Sequence, residues 1–566
     1  MYRALKHHGP ISGIATRGDL VATAGYDNQI VLWNARTRSP LGRAYHDHLV
    51  NHCSFSSDGR WLLSSSSDYS ARIWSVPSLR LEAVLTGHAD DVDMAAFSPD
   101  DQLIATCALD RAVRIFDRTG RCLHVMRGHT GNVLSLAWSA DGAFVVSSSV
   151  DGTVRRWDAK CGVEAQVSDL GVRTDSVEMG ASGVIFAGDD RGRLCILTGS
   201  ETRYVAAHAA GIKKVALDEN RRRLVSLSYD RTLVVWQLDD EDGLLQLART
   251  SLPPVIWARA AAILPDGRVA TGTFGGTYAI YDVEKDEWDI SGARAGPAIN
   301  AVLVVAGEAY TVGDSGVVSV DGRRVADMGS LCNFLATAGE RIYTGGQLGQ
   351  LYDARTGMVL HEHHSPLNCA AVLSVGSDAR LAVGTYTGEI LIFSLDANGN
   401  PHLMKTIRAY ENAVKGLSFQ DDALFSVCAS AEVAWFGTSD WGPERRVRRA
   451  HDRIANACVA IGRGRFASVS RDRSLRLWSV DEAMSPCEVF QSPHPNSIKC
   501  VAIDAEERTL MTGSYGGTLA TFDLVTKRWS ELFRPTASGI ASVAWDGLRN
   551  RFLAASYDGA IYPVSA

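Results

Sequence analysis

The residues Ser147 to Trp157, "SSSVDGTVRRW", follow His129 by eighteen positions. Serine, histidine and aspartate are the side chains of an acyl-transfer triad: the hydroxyl attacks, the imidazole takes its proton and the carboxylate orients the imidazole. The same groups can instead form a buried hydrogen-bond relay that ties a loop to a turn, with the Trp157 indole as a fourth member. Recurrence separates the two readings. The set His129, Ser147, Asp151 and Trp157 returns as His46, Ser64, Asp68 and Trp74; as His88, Thr106, Asp110 and Phe116; and as His208, Ser226, Asp230 and Trp236. It returns again as His451, Ser468, Asp472 and Trp478, one residue shorter at its first gap. A nucleophile and its base need occur once per active site, so a constellation repeated along the chain is scaffolding, and no catalytic residue is assigned.

The elements that must position these groups are also periodic. "DGTVRRW" recurs as "DNQIVLW" from Asp27, "DYSARIW" from Asp68, "DRAVRIF" from Asp110, "DRTLVVW" from Asp230 and "DRSLRLW" from Asp472, each a tight turn leading into a short strand. Degenerate copies end near Leu197, Tyr281, Ser319, Tyr352, Phe393, Trp435, Phe522 and Tyr562. Six clear and eight degenerate copies make fourteen units at a mean spacing of about 41 residues, the period of a four-stranded blade. Hairpin signals fall within each unit: "SSDG" at Ser56, "SPDD" at Ser98, "SADG" at Ser139 and "LPDG" at Leu264.

Composition is that of an ordinary globular protein, with 566 residues, 46% hydrophobic and 21% charged, and a formal charge of -7. That charge carries no basic footprint for nucleic acid. Eleven cysteines without a CxxC pair favour free thiols in a reducing cytoplasm. The N-terminal "MYRALKHHGP" has no apolar core of a signal peptide, and no apolar run is long enough to span a bilayer, so neither secretion nor membrane insertion is expected.

With "TGH" at Thr86 to His88, "RGH" at Arg127 to His129 and "WDA" at Trp157 to Ala159, the chain resembles the WD40-repeat family, most strongly in units one to four, six and twelve. The resemblance implies an all-β fold of propeller blades. Two seven-bladed WD40-type propellers in tandem are expected, over 1–284 and over a more degenerate 285–566, because fourteen blades in one ring exceed the usual four to eight. The last unit has no outer strand of its own. Tyr2 to Leu5 is expected to close blade seven, freeing Glu287 to Ile290 to close blade fourteen through one chain crossing near Asp282 to Asp286.

Other features carry weaker chemistry. "GTFGGTYAIYD" from Gly272 resembles a phosphate-cradling loop, but no Walker lysine follows and "GSYGGTLATFD" from Gly513 repeats it, so a blade turn is expected. His361, His363 and His364 in "HEHHSP" are types that ligate zinc or nickel. Strand alternation puts His361 and His363 on one face and His364 on the other, near the loop-histidine position; a solvated loop is expected and no metal or other cofactor is assigned. "ERRVRRAH" from Glu444 and "NRRRL" from Asn220 read as charged, edge-protecting strands and turns, and "LDDEDG" from Leu238 as a solvated loop.

The turns beside the tetrad aspartates carry Tyr26, Tyr69, Tyr229, Phe274, Tyr386, Tyr515 and Tyr557, with Arg111, Arg231, Arg471 and Arg473. The resemblance implies that these turns lie on the top face. Tyr and Arg are enriched in binding hot spots, so these residues are the candidate partner contacts, although aromatic side chains also simply cover blade ends. The expected function is a non-catalytic, cytoplasmic scaffold for protein partners of unknown identity. Two alternatives stand beside it. One is a component of a bacterial specialised-metabolite pathway of the toxoflavin type, whose gene clusters encode WD-repeat proteins. The other is an actin-filament disassembly cofactor, since actin-interacting protein 1 resembles this chain in having fourteen WD blades in two rings. Enzymatic activity is left open, with the non-catalytic reading preferred.

Overall fold

The computed structural model describes residues 5–199, 201–240, 242–375, 378–479 and 488–565. Every regular element among them is a strand. The strands form thirteen four-stranded sheets and one three-stranded sheet, each an antiparallel meander of consecutive strands. The first sheet, Ile11–Arg17, Leu20–Gly25, Gln29–Asn34 and Pro40–Tyr45, sets the pattern. Its second and third strands are buried almost throughout, as "LVATAG" and "QIVLWN" must be when both faces meet other sheets. Its fourth strand mixes exposed and covered residues, as expected at a rim.

The core lies between consecutive sheets: Ile30 and Leu32 of the first pack with Cys53, Leu62 and Trp74 of the second. Two compact units, Met1–Gly296 and Pro297–Ala566, divide the chain and take seven sheets each. Each unit closes on itself. In the first, Val31 and Trp33 pack against Tyr278 and Ile280 of the seventh sheet, the Thr16 hydroxyl donates to Ile263 O at 2.8 Å, and His7 and Gly276 exchange two backbone bonds of 2.9 Å. In the second, Val302 and Ala309 pack on Leu553 and Ala555, and Val302 N–H donates to Ser542 Oγ at 3.3 Å.

All fourteen inner strands carry a register shift near the start of their pairing, such as between Ile11 and Gly13 or Val133 and Ser135. Such a bulge bends the strand and interrupts its ladder. In several sheets the residue after the first meets the next sheet's backbone. Asn51 donates to Val92 O at 2.9 Å, Asn333 to Leu367 O at 2.8 Å, Asn368 to Val414 O at 2.5 Å and Asn456 to Ile498 O at 2.6 Å. These amides staple neighbouring sheets around the ring.

The expected strand exchange does not occur. Glu287–Asp289 pairs with Ala279–Asp282 in its own sheet, with Tyr281 opposite Trp288, so Val283 to Asp286 is a hairpin turn rather than a crossing. The cause is local: the two rings meet at 5.0 Å, and the Tyr281 hydroxyl donates to Asp286 at 2.7 Å. Of the proposed Tyr2 to Leu5 strand, only Leu5 is among the described residues, and it is a bend. Ten described cysteines are free, and among the described residues no helix is long and apolar enough to cross a membrane.

Candidate partner-binding faces

In the fourth sheet His129 Nε2 lies 2.8 Å from Ser147 Oγ, and its Nδ1 lies 3.0 Å from Asp151. These are triad distances. Chemistry is blocked by burial: Ser147 is fully buried, and its oxygen accepts the Trp157 indole N–H at 2.8 Å. The proton order is self-consistent, with indole N–H to hydroxyl, hydroxyl to Nε2, and Nδ1–H to carboxylate. In that order each polar group of the relay finds a partner. The Ser64, Ser226 and Ser468 sets repeat this geometry with Trp74, Trp236 and Trp478, while Phe116 leaves the Thr106 and His88 pair without an indole donor. The aspartates sit below the usual carboxylate range. Burial alone would raise them, but the imidazole bond and nearby charge outweigh it, bringing Asp110 and Asp230 to about 2.

Two relays escape the sequence pattern. His7 Nε2 meets Thr23 at 2.7 Å, Nδ1 meets Asp27 at 3.0 Å, and Trp33 donates to Thr23 at 2.7 Å. The gap is two residues shorter than in the four sets spaced by eighteen, which hides the pattern. In the thirteenth sheet His494 bonds Thr512 at 2.9 Å and Thr518 at 2.7 Å, while Gly516 stands at the aspartate position. Burial lowers the His494 imidazole to about 4.

The turn candidates divide into two groups. Tyr69, Arg111, Arg231 and Arg473 follow the turn aspartate with φ of 63–69°, a left-handed conformation that several other turns fill with glycine, among them Gly152 and Gly517. Of these, Tyr69, Arg111 and Arg473 are exposed and Arg231 half-buried. The others precede the turn and extend the inner hairpin toward the ring interior: Tyr229 N–H donates to Gly211 O and Tyr515 N–H to Ser497 O. Phe274 is buried against Trp257 at 6.5 Å and offers almost no surface.

In the first unit Tyr26 meets Trp257 at 5.0 Å and Lys213 lies 4.7 Å over Tyr229. Lys213 also binds Asp175 and Asp190 at 2.5 Å, and Arg173 binds Asp175 at 2.5 Å. Arg259 of the seventh sheet reaches Asp93 of the third at 3.6 Å, spanning the ring interior. Burial still pushes Asp93 up to about 6, against the Arg259 charge. In the second unit Lys415 lies 5.1 Å over Tyr386, Arg471 5.6 Å and Lys499 5.9 Å over Tyr515, and Tyr515 stacks on Tyr557 at 6.3 Å. Burial would raise the Tyr515 hydroxyl, yet Lys499 and Arg471 bring it below its ordinary value. Sequence reasoning missed Asp93, Asp175, Lys213, Trp257, Arg259, Lys415 and Lys499. Aligning the second residue of each inner strand would have shown all but Arg259, two residues further along.

The remaining motifs are occupied locally. Arg445 donates to Ser479 O at 2.9 Å and covers Trp435, Arg446 donates to Ala409 O, Arg221 bonds Asp218 at 3.1 Å, and Arg222 bonds Asp242 at 3.3 Å. Gly276 and Gly517 lie in turns where a Cβ would strike Gly292 O and Thr536 O. His361 packs edge-on to Phe393, whereas the His363 and His364 rings lie 4.1 Å apart. The expected alternation fails because the strand ends at Glu362.

Repeated antiparallel sheets, closed into rings and pinned by a Ser/Thr–His–Asp–Trp relay, define a propeller of repeat units. Residues 1–34, 40–75, 79–117, 120–158 and 199–237 match the WD domain, G-beta repeat, so the chain carries WD40 repeats. It is 32% identical over 121 residues to the zebrafish (Danio rerio) WD repeat, SAM and U-box domain-containing protein 1, covering 21% of this chain and 25% of that protein. It is 31% identical over 118 residues to the serine-threonine kinase receptor-associated protein of Gallus gallus, covering 20% and 33%. It is 23% identical over 185 residues to WD repeat-containing protein 55 of Pongo abelii, covering 32% and 48%. The chain thus spans half or less of each of these relatives.

Proposed function

We propose that this chain is a non-catalytic scaffold that holds protein partners against two faces, one for each seven-bladed ring. The observation that supports this most directly is the gathering of aromatic and charged side chains in each ring, from the turns and from the inner-strand positions that elsewhere carry sheet-stapling asparagines. The first set joins Tyr26, Tyr229 and Trp257 to cations and carboxylates in near balance, and suits a partner segment of mixed charge. The second joins Tyr386, Tyr515 and Tyr557 to Lys415, Lys499 and Arg471, and suits an acidic one. WD-repeat relatives support a role in protein interaction generally, and the name of the chicken relative records association with a receptor kinase. The free cysteines agree with a cytoplasmic setting. The biosynthetic and filament-disassembly alternatives gain no observation from the geometry or the relatives.

The test is affinity capture of the tagged full chain from its own cells. Y229A/R231A is expected to lose at least one stoichiometric partner while keeping the parent's thermal midpoint. Undiminished recovery of every partner removes the first set as a binding face.

A further inference from the structure

The loop before the tenth sheet departs from the tetrad scheme in a way that creates a different site. In the sixth sheet His208 N–H donates to Gly192 O at 2.9 Å, and the ring turns inward to Ser226 and Asp230. His363 makes the same backbone bond, to Gly349 O at 2.8 Å, so it occupies the same loop place. Its inward partners are absent. By pairing register Val383 replaces the serine, Phe393 replaces the tryptophan, and Thr387 stands at the aspartate position. The imidazole turns outward instead.

Glu389 stands where the sixth sheet has Thr232 and reaches the loop from the start of the third strand. Its Oε2 lies 3.3 Å from His363 Nε2 and 3.7 Å from His364 Nε2, and the donor atoms of all three side chains lie within 4.8 Å of one another. Metal–ligand bonds of about 2.0–2.1 Å at tetrahedral angles place neighbouring donors about 3.3–3.4 Å apart. Thr387 donates to Glu389 Oε2 at 3.0 Å, and His363 Nδ1 accepts the Ser365 N–H at 3.1 Å with Ser365 O 3.3 Å away, so ligation through Nε2 would move the remaining ring proton to Nδ1, toward Ser365 O. Side-chain exposure rises from 10% at His363 through 22% at Glu389 to 47% at His364, leaving an open approach.

We propose that His363, His364 and Glu389 bind a divalent cation of the zinc class, with the fourth position left to water or to a partner's side chain. Two imidazoles and one carboxylate favour such an ion over calcium or magnesium, which take oxygen ligands. The site replaces the loop's missing inward tether and goes beyond the scaffold reading.

The test uses Co²⁺ alone as a visible probe and Zn²⁺ as competitor, on the full chain carrying C122S and C161S to remove two exposed thiols. One equivalent of Co²⁺ with tetrahedral visible bands, displaced by Zn²⁺, is expected. H364A and E389Q are each expected to weaken it by at least about tenfold while keeping the parent's thermal midpoint in chelator. Absence of the bands, or binding that survives either substitution, overturns the site and leaves a loop tether only.

Discussion

Ser147 and Ser148 are adjacent, identical in type and both fully buried, yet they should respond oppositely to alanine. Ser147 Oγ takes the Trp157 N–H and gives its proton to His129. Alanine there orphans a buried donor and a buried acceptor, and at ~1–3 kcal/mol each the loss is about 2–6 kcal/mol. Ser148 points to the other face of the strand, and its Oγ has no hydrogen-bond partner. Removing it leaves nothing unpaired, so S148A should be neutral within about 0.5 kcal/mol or slightly stabilising. A chain of many sheets need not unfold in two states, so the assay is amide hydrogen exchange by mass spectrometry on peptides covering residues 128–158, with the thermal midpoint recorded alongside. S147A should speed exchange of the slowest amides by about 30-fold to on the order of 10⁴-fold, and S148A should leave it near the parent. Equal effects from the two serines, or a loss below about 1 kcal/mol for S147A, would refute the relay as the element that pins loop to turn.

His494 is buried among threonine hydroxyls, and its pKa falls from 6.5 to about 4. The unfolded chain then binds this proton first as pH drops, so the stability it confers is full above 6.5, declines through that interval and is gone below about 4, a change of about 3 kcal/mol; H494Q should flatten the slope in denaturation midpoints over that range. N456A leaves Ile498 O without its donor and should cost about 1–3 kcal/mol in chemical denaturation, whereas K499M, at the equivalent position of the next sheet, should stay within about 1 kcal/mol.

Five relays could be read from the sequence because their side-chain types and spacing recur with the sheets, and recurrence alone argued against a catalytic triad at those residues. His7 was missed because its gap is two residues shorter than eighteen, and His494 because Gly516 removed the aspartate that marks the pattern. The strand exchange was wrongly expected because an unpaired rim in the last sheet argued for it globally, while the pairing of Tyr281 with Trp288 decided the matter locally. Alternation misplaced His363 relative to His361 because a period of two holds only while the strand continues. The position of these residues recurs but their type does not, since Ser12, Asn51, Asp93, Leu134, Asp175, Lys213 and Trp257 share a structural place and little in chemistry.

That last series separates scaffold from site. Where the second inner-strand residue is asparagine, it is consumed in joining two sheets. Where it is charged, the joint must be made otherwise: Lys213 bridges to Asp175 of the preceding sheet, and Asp93 crosses the ring to Arg259. An amide donating to a backbone carbonyl is a closed contact. An ion pair can exchange one member for a partner's charged group only where the displaced member is in turn paired or hydrated, because an uncompensated buried charge is costly. On the proposed function, the positions without a stapling asparagine, rather than the repeated tetrads, are where partner specificity is expected to reside.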